Sequence, residues 1–148
     1  MLIETLKAYL IQNEGLRLHP YKCTSGKTTI GVGRNLDDNG ITTDEAMHLL
    51  TNDINNSIQE LEKNIDWYYE APGNVQLVLA DMHFNLGLPV LLSFKNMLKS
   101  LKDKKYEEAA EHLLDSRYAK QVGNRALLNA RLLETTESEA WQPKQKKI

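Results

Sequence analysis

The chain has 148 residues, of which 41% are hydrophobic and 26% charged, with a formal net charge of −2. That size and balance fit one soluble domain, or two small lobes sharing a core. No apolar run approaches the ~20 residues that a membrane helix needs, and the single cysteine excludes an internal disulfide. In chain order, Leu2 to Gln12 place Leu2, Leu6, Tyr9 and Leu10 on one face, the period of an amphipathic helix. Glu14 falls at or just beyond its end. Leu18 to Leu36 turn to Pro, Gly, Ser and Thr, with short alternating runs. TTIGVG reads as a strand with Ile30 and Val32 on one face and Thr29, Gly31 and Gly33 on the other. Thr24, Ser25 and Gly26 form the turn before it, and residues 37–40 a loop.

Thr42 and Glu45 make a capping box. The helix they open carries Ala46, Leu50, Ile54, Ile58 and Leu61 at helical spacing and runs to about Asn64. Ala71-Pro72-Gly73 breaks the chain, with Asn74 as the next N-cap. Val75 to Leu86 is apolar enough for a central buried helix, stopped by Gly87. Pro89 to Ser100, Tyr106 to Leu114 and Asn124 to Glu134 read as three more helices. A short hairpin region followed by helices makes an α+β chain, mostly α-helical.

Charge is uneven: +1 over residues 1–40, −6 over 41–75 and +3 over 76–148. No dense basic stripe is present, so nucleic acid is not an expected partner. The terminal QPKQKK reads as a solvated basic end. His19, His48, His83 and His112 never stand three or four apart, so no metal site is expected, and no cofactor. The opening MLIETLKAYLIQNEG lacks a basic n-region and a cleavage site, so it is not a signal peptide. The protein is expected to stay in the cytoplasm where it is made, without stable membrane insertion, until something else releases it.

The segment with most chemistry is Asn13 to Gly33. One acid, Glu14, is followed after eight residues by Cys23 and after five more by Thr29. A glycosidase site normally uses two carboxylates; here a thiol takes the second place.

The sequence resembles the phage-type lysozymes, the endolysins of glycoside hydrolase family 24. EGLRLHPYKCTSGKTTIGVGRNL matches the family signature Glu-x8-Asp/Cys-x5-Thr. FNLG at Phe84 to Gly87, followed by FKNMLKSLKDKKYEEAA, and then DSRYAKQVGNRA at Asp115 to Ala126, follow in family order over nearly the whole chain. The resemblance implies a single lysozyme-like domain over 1–148. Its small hairpin-bearing lobe would span about 14–60, and its larger helical lobe about 1–12 plus 65–148. A long helix would join them, with a cleft between.

It also implies a substrate, the β-1,4 glycan of bacterial peptidoglycan, cut between N-acetylmuramic acid and N-acetylglucosamine. Glu14 matches the general acid, Cys23 the position shared by Asp and Cys, and Thr29 the catalytic threonine. Arg125 matches the family's arginine and could pair with Glu14. Many members have His after Gly-x-Gly where this chain has Arg34, and some are strongly basic where this one is not. The implied setting is lysis of a phage host by a monomeric enzyme. It would be held in the host cytoplasm until a separate hole-forming membrane protein lets it reach the periplasmic wall.

The residues support the chemistry on their own terms. Cleaving a glycosidic bond requires protonating a poor leaving oxygen, which a carboxylic acid in a poorly solvated site can do. The blander readings are an ordinary helix-end acid for Glu14 and a solvent-facing strand residue for Thr29. Gly31 and Gly33 could mark a bulge or give a sugar ring bare backbone to lie against. Tyr21 is either hairpin packing or a wall of the site. Cys23 has three possible roles: buried filler, covalent nucleophile, or substitute for the second acid. The nucleophile role is poor, because water would release a sulfur-linked sugar slowly and no histidine is placed beside it. As a substitute acid the thiol would need a lowered pKa, for which Lys22 or an arginine is the expected source. A lytic transglycosylase, which needs only one Glu, and a non-catalytic wall-binding module are the competing functions.

Overall fold

The computed structural model describes residues 2–143. The lysines of the basic tail, Lys144, Lys146 and Lys147, lie outside them. By their internal packing the residues form two compact units, Met1–Leu50 and Thr51–Ile148. The mostly helical chain carries one small antiparallel sheet, which is the expected α+β class.

In the first unit, helix α1 spans Leu2–Glu14 and none of its residues is buried. It ends because Gly15 turns left-handed, at φ +80°, and returns its N–H to Ile11 O at 2.8 Å. Glu14 is therefore the last helical residue. Strands β1 (Arg17–Lys22), β2 (Thr28–Gly31) and β3 (Arg34–Asn35) form the sheet in the order β1-β2-β3. Tyr21 faces Thr29 across the first ladder, and a register shift between Arg17 and Tyr21 falls where Pro20 cannot donate. The turn expected at Thr24-Ser25-Gly26 is present: Gly26 N–H donates to Cys23 O at 2.8 Å, with Gly26 at φ +79°.

Two sequence expectations are corrected in this unit. TTIGVG is not one strand. β2 ends at Gly31, and Val32 and Gly33 form the turn into β3, with Gly31 at φ +70° and Gly33 at φ +71°. Gly33 therefore does not continue the strand face of Thr29, whereas Gly31 ends that strand opposite Arg17. The chain at 37–40 is not plain loop either. Leu36–Asn39 makes a one-turn helix, α2, because Asn35 caps it by accepting from the Asp38 N–H at 3.1 Å.

Helix α3, Thr43–Asn64, starts at the expected capping box: Thr42 N–H donates to Glu45 Oε1 at 2.8 Å and Glu45 N–H to Thr42 Oγ1 at 3.2 Å. Its apolar stripe is not uniformly covered. Leu61 is fully buried, while Leu50 and Ile54 are exposed.

The apolar core among the described residues lies in the second unit, from Leu61 to Leu133. Helix α4, Gly73–Leu86, runs through it, with Val75, Val78, Leu79 and Met82 all buried at helical spacing. Gly87 stops it at φ +82°. Asn74 is not its cap. Pro72 holds that position, and Asn74, the second residue of the helix and buried, ties the end of the last helix to the chain beyond it. Its Nδ2 donates to Leu132 O and Glu139 O at 3.0 and 2.7 Å, and its Oδ1 accepts from Trp141 N–H at 3.1 Å.

The helix expected from Pro89 to Ser100 is two: α5 (Leu88–Leu92) and α6 (Lys95–Lys102). They part where the Ser93 hydroxyl folds back onto Val90 O at 2.5 Å. Helices α7 (Tyr106–Leu114) and α9 (Asn124–Glu134) stand as expected. Between them α8, Arg117–Val122, was not anticipated, although Ser116 before it and Gly123 after it are its caps. His83, in α4, is buried and spends both ring nitrogens on α3: Nδ1 on Ser57 Oγ at 3.0 Å and Nε2 on Glu60 Oε2 at 2.6 Å. Losing either partner leaves a buried polar atom unmatched, at a cost of about 1–3 kcal/mol.

The first unit has no comparable apolar core. Among its described residues only Thr29 is buried. Polar contacts carry more of the load. The Arg34 guanidinium forks onto both Glu45 oxygens at 2.8 Å and also donates to Gly40 O at 3.1 Å. The Arg34 hydrogen bond, followed by those from Thr42, holds the Glu45 carboxyl down from an ordinary 4.5 to about 2. A carboxyl depressed in the folded state adds stability above its unfolded pKa and loses it as pH falls through the folded one. Glu45→Gln should therefore be less stable than wild type at neutral pH, with the gap closing between about 4.5 and about 2. Urea midpoints across that range check this. A gap that stays constant down to the acid end would contradict it.

Candidate active site

The hairpin turn builds the site from one oxygen. The Lys27 carbonyl accepts the Cys23 N–H at 2.9 Å and the Thr29 hydroxyl at 3.0 Å. A carbonyl oxygen has two lone pairs, and here both are used. Thr29, only 3% exposed, has its single hydroxyl proton committed to Lys27, so its oxygen is left as an acceptor. It is not the solvent-facing strand residue of the blander reading.

Cys23 is half-buried at the start of the same turn. Its sulfur lies 3.1 Å from Ser25 Oγ. The Ser25 hydroxyl, then the backbone N–H groups of Lys27 and Ser25, hold the thiol down at about 7, against an opposing contribution from partial burial. The expected activator, Lys22, is not the cause. Its ammonium donates instead to Thr28 Oγ1 at 2.6 Å. The thiol is therefore about half ionised near neutral pH, enough for the sulfur to act as an anionic acceptor.

Tyr21 stands opposite Thr29 on the ladder, and the Arg17 guanidinium lies over its ring, 4.4 Å from the centroid. Glu14 reaches the sheet at the other turn. A Cβ placed on Gly33 would lie 3.3 Å from Glu14 Oε2 and 3.4 Å from its Cδ. Gly31 has open space where its Cβ would be. The sequence-derived residues Glu14, Tyr21, Cys23, Thr29, Gly31 and Gly33 thus all fall within the first unit.

Arg125 belongs to the second unit, and the carboxylate that takes it is Asp81. Nε and Nη2 donate to the two Asp81 oxygens at 3.0 and 2.6 Å, a bidentate pair. Asn129 Nδ2 donates to Asp81 Oδ2 at 3.0 Å and to the Tyr118 hydroxyl at 3.2 Å. Burial pushes the Asp81 carboxyl up, but the hydrogen bonds from Arg125 and Asn129 outweigh it, and the net shift is down. Asp81 is a partner that the sequence does not announce. It lies 44 positions from Arg125, so no local pattern links them.

Two further residues were missed. Ser25 is two positions from Cys23, in the turn that the sequence itself marks, so the two side chains are brought close by the turn. Asp37 accepts the Thr28 N–H at 2.8 Å through Oδ2, and that bond holds its carboxyl below the ordinary range. It fixes the start of β2 from helix α2, a contact no local pattern announces.

Comparison with known proteins identifies the family. The phage lysozyme family matches residues 11–134. A protein of Dictyostelium discoideum named probable T4-type lysozyme 1 is 26% identical over 170 residues, covering 95% of this chain and all of the relative. A second, probable T4-type lysozyme 2 of the same organism, is 28% identical over 154 residues, covering 84% of this chain and 91% of the relative. The match takes in the Glu14–Thr29 segment and every helix from α2 to α9. The chain belongs to the phage lysozyme family, whose lysozyme-type glycoside hydrolases degrade peptidoglycan.

Proposed function

We propose that the protein is a muramidase that hydrolyses the β-1,4 bond between N-acetylmuramic acid and N-acetylglucosamine, with Glu14 as general acid. The observation that carries this reading is the Cys23–Thr29 pair on the Lys27 carbonyl. It supplies two acceptors for a water in a site that lacks a second carboxylate at that place. Glu14 gives its proton to the glycosidic oxygen as the bond to the muramic C1 breaks. Water attacks C1, held by the Thr29 oxygen and the Cys23 thiolate, and its proton passes to the sulfur. The products are a free hydroxyl on one sugar and a reducing end on the other. Cys23 thus does the work of the second acid as an anion held by hydrogen bonds, without forming a bond to the sugar.

The biological setting follows the family. We read the enzyme as a phage endolysin that degrades the host wall at the end of infection and reaches it through a separate hole-forming membrane protein. No helix among the described residues is long and apolar enough to cross a membrane.

Glu14→Gln is nearly isosteric but cannot act as an acid. It should clear permeabilised Gram-negative cells at less than about a tenth of the wild-type rate, with an unchanged melting curve. The same cells left intact, expressing wild type alone, should stay turbid. Rapid clearing by Glu14→Gln would overturn the catalytic assignment, and spontaneous lysis would overturn the release step.

Cys23 sets the acidic limb of the pH–rate profile in this mechanism, because protonation at about 7 removes the anion. Cys23→Asp should keep substantial activity and move that limb down towards about 4, the ordinary aspartate range. Cys23→Ser should lose more, yet fall less far than Glu14→Gln. If Cys23→Ser and Cys23→Ala match wild type at every pH, the thiol has no part in the reaction.

A further inference from the structure

We propose that Gly33 is the seat of the Glu14 carboxyl, and that Arg34 and Glu45 are positioning residues that fix where that seat lies. The inference rests on the reading of Glu14 as general acid.

Gly31 and Gly33 make a controlled pair. Gly31 ends β2 and Gly33 lies in the turn that follows, at φ +70° and +71°, so an L side chain would be equally strained at either. Their surroundings differ. A Cβ on Gly31 meets nothing within 4 Å, whereas one on Gly33 would lie 3.3 Å from Glu14 Oε2, 3.4 Å from Cδ and 3.5 Å from Cγ. Gly31 answers a conformational need only. Gly33 answers that need and also leaves the space the carboxyl uses. Bare backbone bounds the otherwise exposed Glu14 on that side, and a Cβ there would crowd the carboxyl by a few tenths of an ångström.

The seat is held in place from the next residue. Arg34 pairs with Ile30 on the β2–β3 ladder. Its guanidinium bonds both oxygens of Glu45 and the Gly40 carbonyl. Glu45 is itself fixed by the Thr42 N–H at the start of α3. The turn carrying Gly33 is thus anchored to the α3 N-terminus by a forked ion pair, in a unit with little apolar packing to do the same. A general acid must sit within hydrogen-bonding reach of the oxygen it protonates, and small misplacements lose rate steeply. Neither Arg34 nor Glu45 need touch substrate.

The test is steady-state kinetics of the full chain on solubilised peptidoglycan, across pH, for wild type, Gly33→Ala, Gly31→Ala, Arg34→Met, Arg34→Lys and Glu14→Gln. Gly33→Ala should lose about tenfold or more in kcat, with KM within about twofold, and should shift the alkaline limb of the pH–rate profile. Gly31→Ala, with the same backbone strain, should leave the alkaline limb at its wild-type position, whatever it does to the rate. Arg34→Met should shift that limb in the same sense as Gly33→Ala, and Arg34→Lys should restore part of it. If Gly33→Ala does not fold, the Arg34 pair carries the test alone. The proposal is overturned if Gly33→Ala folds and its alkaline limb tracks Gly31→Ala, or if Arg34→Met lowers stability but leaves the limb in place. Glu14→Gln separates the two levels: if it is fully active, the general-acid reading fails; if it is inactive while the limbs stay put, only the seat fails.

Discussion

The Lys27 carbonyl is the point from which the site is fixed. One oxygen holds the backbone of Cys23 and the side chain of Thr29, two residues that the sequence separates by five others. Closing the hairpin therefore places a thiol and a hydroxyl together as a consequence of ordinary turn hydrogen bonding. The same bonds decide their chemistry. Thr29 spends its proton on Lys27 and becomes an acceptor. Cys23 gathers donors from Ser25 and from turn amides, and its thiol falls to about 7. A carboxylate would reach the same end with its own low pKa; a cysteine reaches it by being well hydrogen-bonded.

The two units are stabilised differently. The second buries a continuous set of aliphatic and aromatic side chains around α4, α7 and α9, in the usual manner of a helical core. In the first, among the described residues, Thr29 alone is buried, and order comes from polar links: Asn35 capping α2, Asp37 on Thr28, Arg34 forked onto Glu45, and the Lys27 joint. Polar links are directional, so they fix side-chain geometry closely, and they respond to pH where apolar contacts do not. A site that must aim one water and one proton is well served by them. The acid sensitivity expected of Glu45 is the corresponding weakness.

Much of this was legible in the sequence, for a reason that can be named in each case. The capping box, the apolar period of α4 and the Gly87 stop are local patterns, and the structure follows them. The spacing of Glu14, Cys23 and Thr29 pointed to the end of α1 and the hairpin that follows it. What the sequence hid depends on contacts distant along the chain. Asn74 looked like a cap because Pro-Gly-Asn is a common helix start, yet its amide reaches Glu139 and Trp141. TTIGVG alternates like a strand, but left-handed glycines at 31 and 33 turn the chain back. Arg125 gave no sign of which acid it would take, because Asp81 meets it only after α4 and α9 pack. For the Cys23 thiol the sequence offers Lys22 or an arginine as activator, whereas the donors are a turn serine and backbone amides.

The central claim is that a water held by Thr29 and Cys23 attacks the sugar after Glu14 protonates the leaving oxygen. The most direct measurement is mass spectrometry of the fragments released from purified peptidoglycan digested in heavy-oxygen water. The account predicts reducing muramic ends, each carrying one heavy oxygen from solvent. Anhydro-muramoyl ends, one water lighter and unlabelled, would contradict it: the sugar's own hydroxyl would then be the nucleophile, and the Cys23–Thr29 pair would have no water to hold.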